Sequence, residues 1–149
     1  MRERPTGLTQ DAGWEIGVSR TVPFPLEEVW DFLTSQQGSA VWLGAGVRRL
    51  DEPGEAYQTS AGITGEIRSF RPHDRVRLTW QPSHWDHDST VQFIVSSAGA
   101  GRTMLRFHQE RLADAGEREQ QRMHWRAVLG AVVAELDNRA WDHPVGSPP

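Results

Sequence analysis

Cysteine is absent from the 149 residues of the chain. Its absence excludes a nucleophilic thiol, a disulfide framework and a cysteine-ligated metal. Lysine is absent as well, because all 16 basic residues are arginine. We interpret the missing lysine as the codon bias of a GC-rich genome rather than as the requirement of a particular site.

Long apolar runs and an excess of positive charge are also missing. No stretch has the roughly eighteen consecutive apolar residues of a membrane-spanning helix. Residues 1–7 carry arginines without a following apolar run, which argues against a secretory signal. The net charge of −4 gives no general attraction to phosphate backbones or acidic membranes. We therefore expect a cytoplasmic protein that binds neither nucleic acid nor a membrane.

The apolar residues that are present include seven tryptophans, which suits a core of few but bulky side chains. A chain of this length is expected to form one domain and to bury roughly two-thirds of its unfolded surface. We predict a flexible leader at residues 1–12, the domain at 13–141, and a disordered tail at 142–149 that is rich in proline.

The strongest pattern is an amphipathic helix predicted over residues 114–141. Apolar side chains recur there at steps of three and four and form one stripe: Trp125, Leu129, Val132, Leu136 and Ala140. Asp114 is placed to cap the helix, and Glu117 to complete a capping box. A stripe this long needs a wide apolar surface to pack on.

Strands predicted from alternating apolar residues supply that surface. A first strand (14–22) is followed by a helix that begins at Pro25 and buries Leu26, Val29, Trp30 and Leu33, and by a short helical turn capped by Ser39 (39–43). Further strands are predicted at 47–50, 56–60, 63–70, 75–80, 91–95 and 103–107. About seven strands with segregated helices predict an α+β fold with a curved antiparallel sheet.

This order of elements resembles the helix-grip fold of the START/SRPBCC (pollen-allergen-like) superfamily. Local sequences resemble the activator of heat-shock-protein-90 ATPase homologue family over roughly residues 15–136. The matching pieces are Pro25-Leu26-Glu27-Glu28-Val29-Trp30, Leu33-Thr34, Trp42, Gly65-Glu66-Ile67, Pro72, Arg75-Val76-Arg77-Leu78-Thr79-Trp80, Gly101-Arg102-Thr103, Leu105, Phe107-His108, Trp125 and Leu129.

Two positions depart from the family pattern. Gly54-Glu55-Ala56-Tyr57 stands where the family has a Gly-Gly-x-Phe hairpin, and His124 replaces a frequent glycine. The resemblance implies a role in the stress response or in binding a chaperone. Relatives on the same fold also bind lipids or act as cyclases, so the fold alone does not assign a function.

The aromatic residues are the strongest functional feature, because they fall on the predicted inner faces of sheet and helix. A wedge between sheet and helix can hold an apolar ligand, oriented by indole N–H groups. An equally good interpretation is that the rings fill the core. The predicted ligand-binding residues are Trp42, Ile67, Leu78, Trp80, Phe93, Leu105, Phe107, Trp125 and Leu129.

Polar clusters are weaker candidates for chemistry. His84, Asp86, His87 and Asp88 contain possible metal ligands, but a solvated loop is the better interpretation. His108 and His124 could approach each other at the mouth of a cavity, yet the strand parity of His108 points it away from the helix. Glu66 has an outward parity too. We predict no catalytic residue, no metal and no cofactor.

The primary hypothesis is a non-enzymatic domain that holds a hydrophobic small molecule between the sheet and the last helix. The alternative is a co-chaperone-like protein with a filled core, whose outer surface binds a chaperone or another protein. A third is a cyclase-like or hydrolase-like enzyme, which needs a buried titratable group beside the tryptophans. The oligomeric state is expected to be a monomer or a homodimer.

Overall fold

The computed structural model describes residues 8–9 and 13–142. Its elements in chain order are β1 (Leu8–Thr9), β2 (Gly13–Val22), α1 (Leu26–Thr34), α2 (Gln36–Trp42), β3 (Ala56–Gln58), β4 (Thr64–Arg71), β5 (Arg75–Trp80), β6 (Ser89–Ser97), β7 (Thr103–Leu112) and α3 (Ala115–Asp142). Among the described residues, no helix combines the length and apolarity needed to cross a membrane.

The strands form one antiparallel sheet in the order β1-β2-β7-β6-β5-β4-β3. The predicted α+β architecture is confirmed: a curved antiparallel sheet, two short helices after the first long strand, and a long C-terminal helix. Six strands have three or more residues, and β1 is a two-residue extension of the edge. The predicted leader contributes β1, and its other residues, like residues 143–149 of the predicted tail, lie outside the described part.

The prediction of a strand at residues 47–50 is wrong. Val47 and Leu50 are buried, but they are three residues apart and anchor an irregular segment instead of alternating along a strand. Gly44 and Gly46 precede this segment with positive φ angles of 137° and 100°, a conformation that glycine adopts without steric cost. The six longer strands are therefore the other six that were predicted.

The second short helix begins earlier than predicted. Ser35, and not Ser39, is its N-cap, because the Ser35 hydroxyl accepts a hydrogen bond from the Gly38 N–H at 3.0 Å. The Ser39 hydroxyl instead donates to the Gln36 carbonyl. The Trp42 indole N–H then donates to the Leu33 carbonyl at 2.8 Å, which fixes α2 against α1.

The start of α3 agrees with the predicted capping, with one difference. The Asp114 carboxylate accepts a hydrogen bond from the Glu117 N–H at 2.7 Å, as predicted. The Glu117 carboxylate accepts from the Ala113 N–H rather than from the capping residue itself. The predicted stripe is confirmed, since Trp125, Leu129, Val132 and Leu136 are all buried against the sheet, while Ala140 is partly buried.

Candidate functional site

The nine residues predicted to bind a ligand all lie in the core between the sheet and the helices. Each is buried: Trp42, Ile67, Leu78, Trp80, Phe93, Leu105, Phe107, Trp125 and Leu129. The rings of Phe107 and Trp125 are stacked with centroids 5.3 Å apart, and those of Trp42 and Phe93 meet edge to face at 5.1 Å. These are ordinary separations for packed aromatic pairs. The middle of the core is therefore occupied by the protein's own side chains.

Three clefts on the described surface lie elsewhere. One runs beside the edge strand β3, one between α1 and the end of α3, and one beside the irregular segment before β3. Their linings share no residue with the nine: Gly46, Val47, Arg48, Arg49, Glu55, Ala56, Tyr57 and Gln58; Pro25, Glu27, Glu28, Asp31 and Arg139; Thr34, Arg48, Arg49, Leu50, Asp51 and Phe70.

A chain of buried hydrogen bonds crosses one end of the core. The Trp125 indole N–H donates to the Gln109 side-chain oxygen at 2.7 Å, and the Gln109 amide donates to the Ser89 hydroxyl at 2.9 Å. Ser89 in turn donates to the Trp80 carbonyl at 2.7 Å. Gln109 was missed by sequence reasoning, although it has the same strand parity as Leu105 and Phe107, which was the signal available.

The Trp80 indole N–H lies beside these hydrogen bonds but takes no part in them. Trp80 is only 3% exposed, and its Nε1 atom has no hydrogen-bond partner among the described residues. Three rings surround the indole, with centroids at 5.3 Å for Trp85, 5.8 Å for His124 and 5.9 Å for Trp125. A buried donor without an acceptor is unfavourable. This end of the core is therefore chemically suited to receive an acceptor atom.

The loop of residues 81–88, which we call the Trp85 loop, covers this end. The Gln81 side-chain amide donates to the Trp85 carbonyl at 2.8 Å, and the rings of Trp85 and His87 stack at 4.8 Å. His87 Nε2 lies 2.9 and 3.1 Å from the two carboxylate oxygens of Glu117 on α3. Asp88 pairs with Arg111. The loop is thus fastened to α3 and β7 through polar contacts, while Trp85 packs against the core.

The same contacts engage two of the four residues that were considered as metal ligands. The structure separates His84, Asp86, His87 and Asp88, and no three of them gather at metal-ligand distance. Instead, His87 and Asp88 each bind a partner from another element.

His108 and Glu66 lie on the faces that their strand parity predicted. His108 is on the sheet face opposite α3, where it contacts Gln92 and Glu15, while His124 lies against Trp80. The two histidines therefore do not meet at a cavity mouth. Partial burial lowers the pKa of His124, which favours its neutral form. Glu66 points outward and pairs with Arg68 at 3.3 Å.

The contact between His87 and Glu117 predicts a pH-dependent stability. Burial acts to lower the pKa of His87, but hydrogen bonds to the Asp88 carbonyl and to Glu117 outweigh it, and the pKa is raised. A raised folded-state pKa contributes stability that is fully present below the unfolded value of about 6.5 and is lost as the pH rises through the folded value. We expect His87→Gln to lower the free energy of unfolding more at about pH 5.5 than at about pH 8.5, as measured by urea denaturation.

His84→Gln is the matched control, because His84 is an exposed histidine of the same loop. Both variants retain His124, whose own titration therefore cancels in the comparison with the wild type. A cost of His87→Gln that is constant with pH, or that grows as the pH rises, would contradict the assigned pair.

Comparison with known proteins places this arrangement in a family. The sequence profile described as "Activator of Hsp90 ATPase homolog 1-like protein" matches residues 23–137. Among curated protein sequences, none matches the chain significantly. The agreement covers α1, α2 and all of the sheet from β3 to β7, together with most of α3.

Solved structures share the fold at low sequence identity. DynU16, from the dynemicin biosynthetic locus, superposes with a TM-score of 0.74 at 22% identity, over 83% of this chain and 47% of its own. This chain thus spans about half the length of DynU16. PFC0360w, an HSP90 activator from Plasmodium falciparum, gives 0.71 at 16% identity over 83% and 96% of the two chains.

CalU16 from Micromonospora echinospora gives a TM-score of 0.70 at 19% identity, over 82% of this chain and 73% of its own. At these identities the likeness establishes the fold alone. The match of the family profile spans more than half of the chain, and the observed order of strands and helices agrees with it. The protein belongs to the family of activator of Hsp90 ATPase homolog 1-like proteins.

Proposed function

We propose that the protein binds a small, planar, apolar molecule carrying one hydrogen-bond acceptor, at the Trp80 end of the interface between sheet and α3. The observation that carries this proposal is the buried Trp80 N–H, which has no acceptor among the described residues. Aromatic walls bind flat apolar molecules, and a single polar group fixes their orientation. Trp85, His124 and Trp125 supply those walls.

Access to this site requires the Trp85 loop to move, because Trp85 packs edge to face on Trp80. The loop is held by contacts that open more easily than a packed core: Trp85 is partly buried, and the pairs His87–Glu117 and Asp88–Arg111 are partly or well exposed to solvent. The stacked Phe107 and Trp125 stay in place and form the floor. Binding thus replaces the contact of Trp85 with Trp80 by a contact with the ligand.

Two naphthalenes of similar size, one with and one without an acceptor, test the role of the indole donor. Methyl naphthyl ketone carries a carbonyl acceptor, and ethylnaphthalene lacks it. We expect the wild type to bind the ketone roughly five- to tenfold more tightly, because the ketone satisfies the Trp80 N–H. Trp80→Phe keeps an aromatic wall without the donor, so the preference is expected to fall to about onefold. Quenching of tryptophan fluorescence measures both affinities.

Trp14→Phe is the control, since Trp14 is a partly buried tryptophan of β2 that belongs to no ring pair of the site. It should keep the wild-type preference for the ketone. Equal affinities of the two probes for the wild type, or a preference that survives in Trp80→Phe, would remove the proposed role of Trp80.

The packed rings in the middle of the core favour a second candidate, in which the outer surface binds a partner protein. One similar structure is that of an HSP90 activator from Plasmodium falciparum. The rings of Phe93, Phe107 and Trp125 fill the centre of the fold in this protein. Purified Hsp90 is the probe: an increase in its ATPase rate by the wild type, with neither naphthyl probe binding, would favour this function. Native mass spectrometry of the same sample reports whether the protein is a monomer or a homodimer and whether a small molecule accompanies it.

A further inference from the structure

A second group of polar side chains lies on the face of the sheet that is turned away from α3. Glu15 of β2 and His108 and Glu110 of β7 each place one possible ligand atom within 4.8 Å of the other two. His108 Nε2 is 3.8 Å from the Glu15 carboxylate, and the His108 side chain is only 12% exposed. The group is therefore partly buried and convergent, unlike a set of solvated surface carboxylates.

Strand register brings the three residues together. His108 is paired with Gly17, and Gln109 with Ile16. A register shift between Trp14 and Ile16 then sets Glu15 beside the outward residues of β7. His108 and Glu110 are two residues apart and share one face of their strand.

Gln92 supplies an independent observation. Its side-chain nitrogen lies 3.4 Å from His108 Nδ1, and its side-chain oxygen is buried without a partner. The two ends of a glutamine amide are assigned from the hydrogen-bond network rather than observed. Rotating the amide places the oxygen where it accepts a hydrogen bond from an Nδ1–H, and the NH2 group then takes the buried position of the oxygen.

This tautomer has a consequence for the other ring nitrogen. With its proton on Nδ1, a neutral His108 directs the Nε2 lone pair toward Glu15 and Glu110. A lone pair facing two carboxylates is unfavourable until a proton or a metal cation lies between them. A histidine that binds a metal through one ring nitrogen usually donates its other ring N–H to an oxygen acceptor, and the Gln92 side chain is placed to supply that acceptor.

We propose that Glu15, His108 and Glu110 form a binding site for a divalent transition-metal ion of the zinc type. One imidazole and two carboxylates suit Zn²⁺ or Co²⁺ better than Mg²⁺ or Ca²⁺, which prefer oxygen ligands alone. Tetrahedral coordination at about 2.0 Å separates ligand atoms by roughly 3.3 Å, so small side-chain rotations complete the site. Water supplies the fourth ligand.

Neighbouring arginines do not remove these ligands. Arg77 donates to one carboxylate oxygen of Glu110 at 2.8 Å, which leaves the other oxygen for the metal and fixes the orientation of the carboxylate. The Arg106 guanidinium lies over Gly17, where an added Cβ atom would come within 2.6 Å of it. Positive charge therefore borders the site. Because it repels a cation, we expect the affinity of the site for a metal ion to be moderate.

Titration of tag-free protein with Co²⁺ and Zn²⁺ tests the proposal. Calorimetry should show one site per chain, and Co²⁺ should give the visible absorption bands of a four-coordinate ion. His108→Gln and Glu110→Gln are expected to weaken binding at least tenfold. Gln92→Leu, which touches no metal, is also expected to weaken it by about tenfold.

His84→Gln controls for adventitious binding to histidine, because His84 is exposed and lies on the separate Trp85 loop. Thermal unfolding of every variant with and without Zn²⁺ shows that the fold is retained and reports binding a second time. Failure of the wild type to bind either ion overturns the proposal. Binding that survives in His108→Gln, or that disappears in His84→Gln, overturns it equally.

Discussion

Replacing Trp125 with alanine is expected to lower the free energy of unfolding by about 4 kcal/mol. Trp125 is fully buried, stacks on Phe107 and closes the hydrogen-bond chain through Gln109. The substitution removes a large apolar side chain and leaves a cavity between β7 and α3. It also leaves the Gln109 side-chain oxygen without a hydrogen-bond donor, which lowers the free energy of unfolding further. Urea denaturation measures the change.

One further variant separates the loss of the hydrogen bond from the loss of the ring, and a second variant is a control on the surface of α3. Trp125→Phe keeps a ring on Phe107 but removes the indole N–H, and it is expected to cost roughly 1–3 kcal/mol through the unpaired Gln109 oxygen. Met123→Ala lies two residues away on the exposed face of α3, where Met123 is 65% exposed, and it should change stability by less than about 0.5 kcal/mol. If Trp125→Ala costs no more than Met123→Ala, burial of Trp125 does not stabilise the fold.

Gly38→Ala is expected to be the second large loss, of about 3 kcal/mol or more. Gly38 lies in α2, and a Cβ atom there would come within 1.7 Å of the Phe32 carbonyl oxygen and 2.5 Å of its carbon. These are backbone atoms at the end of α1 and cannot rotate away as a flexible side chain does. The junction between the two helices would have to separate, which also disturbs the bond from Trp42 to Leu33.

Gly130→Ala is the matched control, because it makes the same substitution inside a helix. Nothing lies within 4 Å of an added Cβ at Gly130, and alanine is favoured over glycine in a helix interior by roughly 1 kcal/mol. Stability should therefore rise for Gly130→Ala and fall for Gly38→Ala. If the two variants shift the unfolding midpoint in the same direction, close packing at the helix junction is not what requires Gly38.

Periodicity in the sequence predicted the fold because most elements bury one face. The stripe of α3 and the alternation of Val76, Leu78 and Trp80 in β5 each have only one orientation that removes their apolar atoms from water. The irregular segment before β3 was mistaken for a strand for the same reason: Val47 and Leu50 are buried, but as isolated anchors. Apolar content identifies burial there but not the backbone conformation.

The candidate sites were less predictable, because they depend on contacts between distant parts of the chain. Parity alone placed His108 on the outer face, yet only the register shift in β2 shows that Glu15 meets it. The Trp85 loop has a polar sequence, and its attachment depends on His87 reaching Glu117, thirty residues later in the chain. How completely aromatic rings fill a core is likewise set by three-dimensional packing and not by their order in the sequence.

The central claim is that the Trp80 N–H is the orienting donor of a ligand site, and the side-chain indole signals of a proton–nitrogen correlation spectrum test it directly. Trp80→Phe removes one signal and so assigns it. Saturation with methyl naphthyl ketone should move the Trp80 indole proton downfield, as expected for a new hydrogen bond, and ethylnaphthalene should not. A Trp80 signal that is unchanged at saturating ketone, or that moves equally with both probes, would contradict the account.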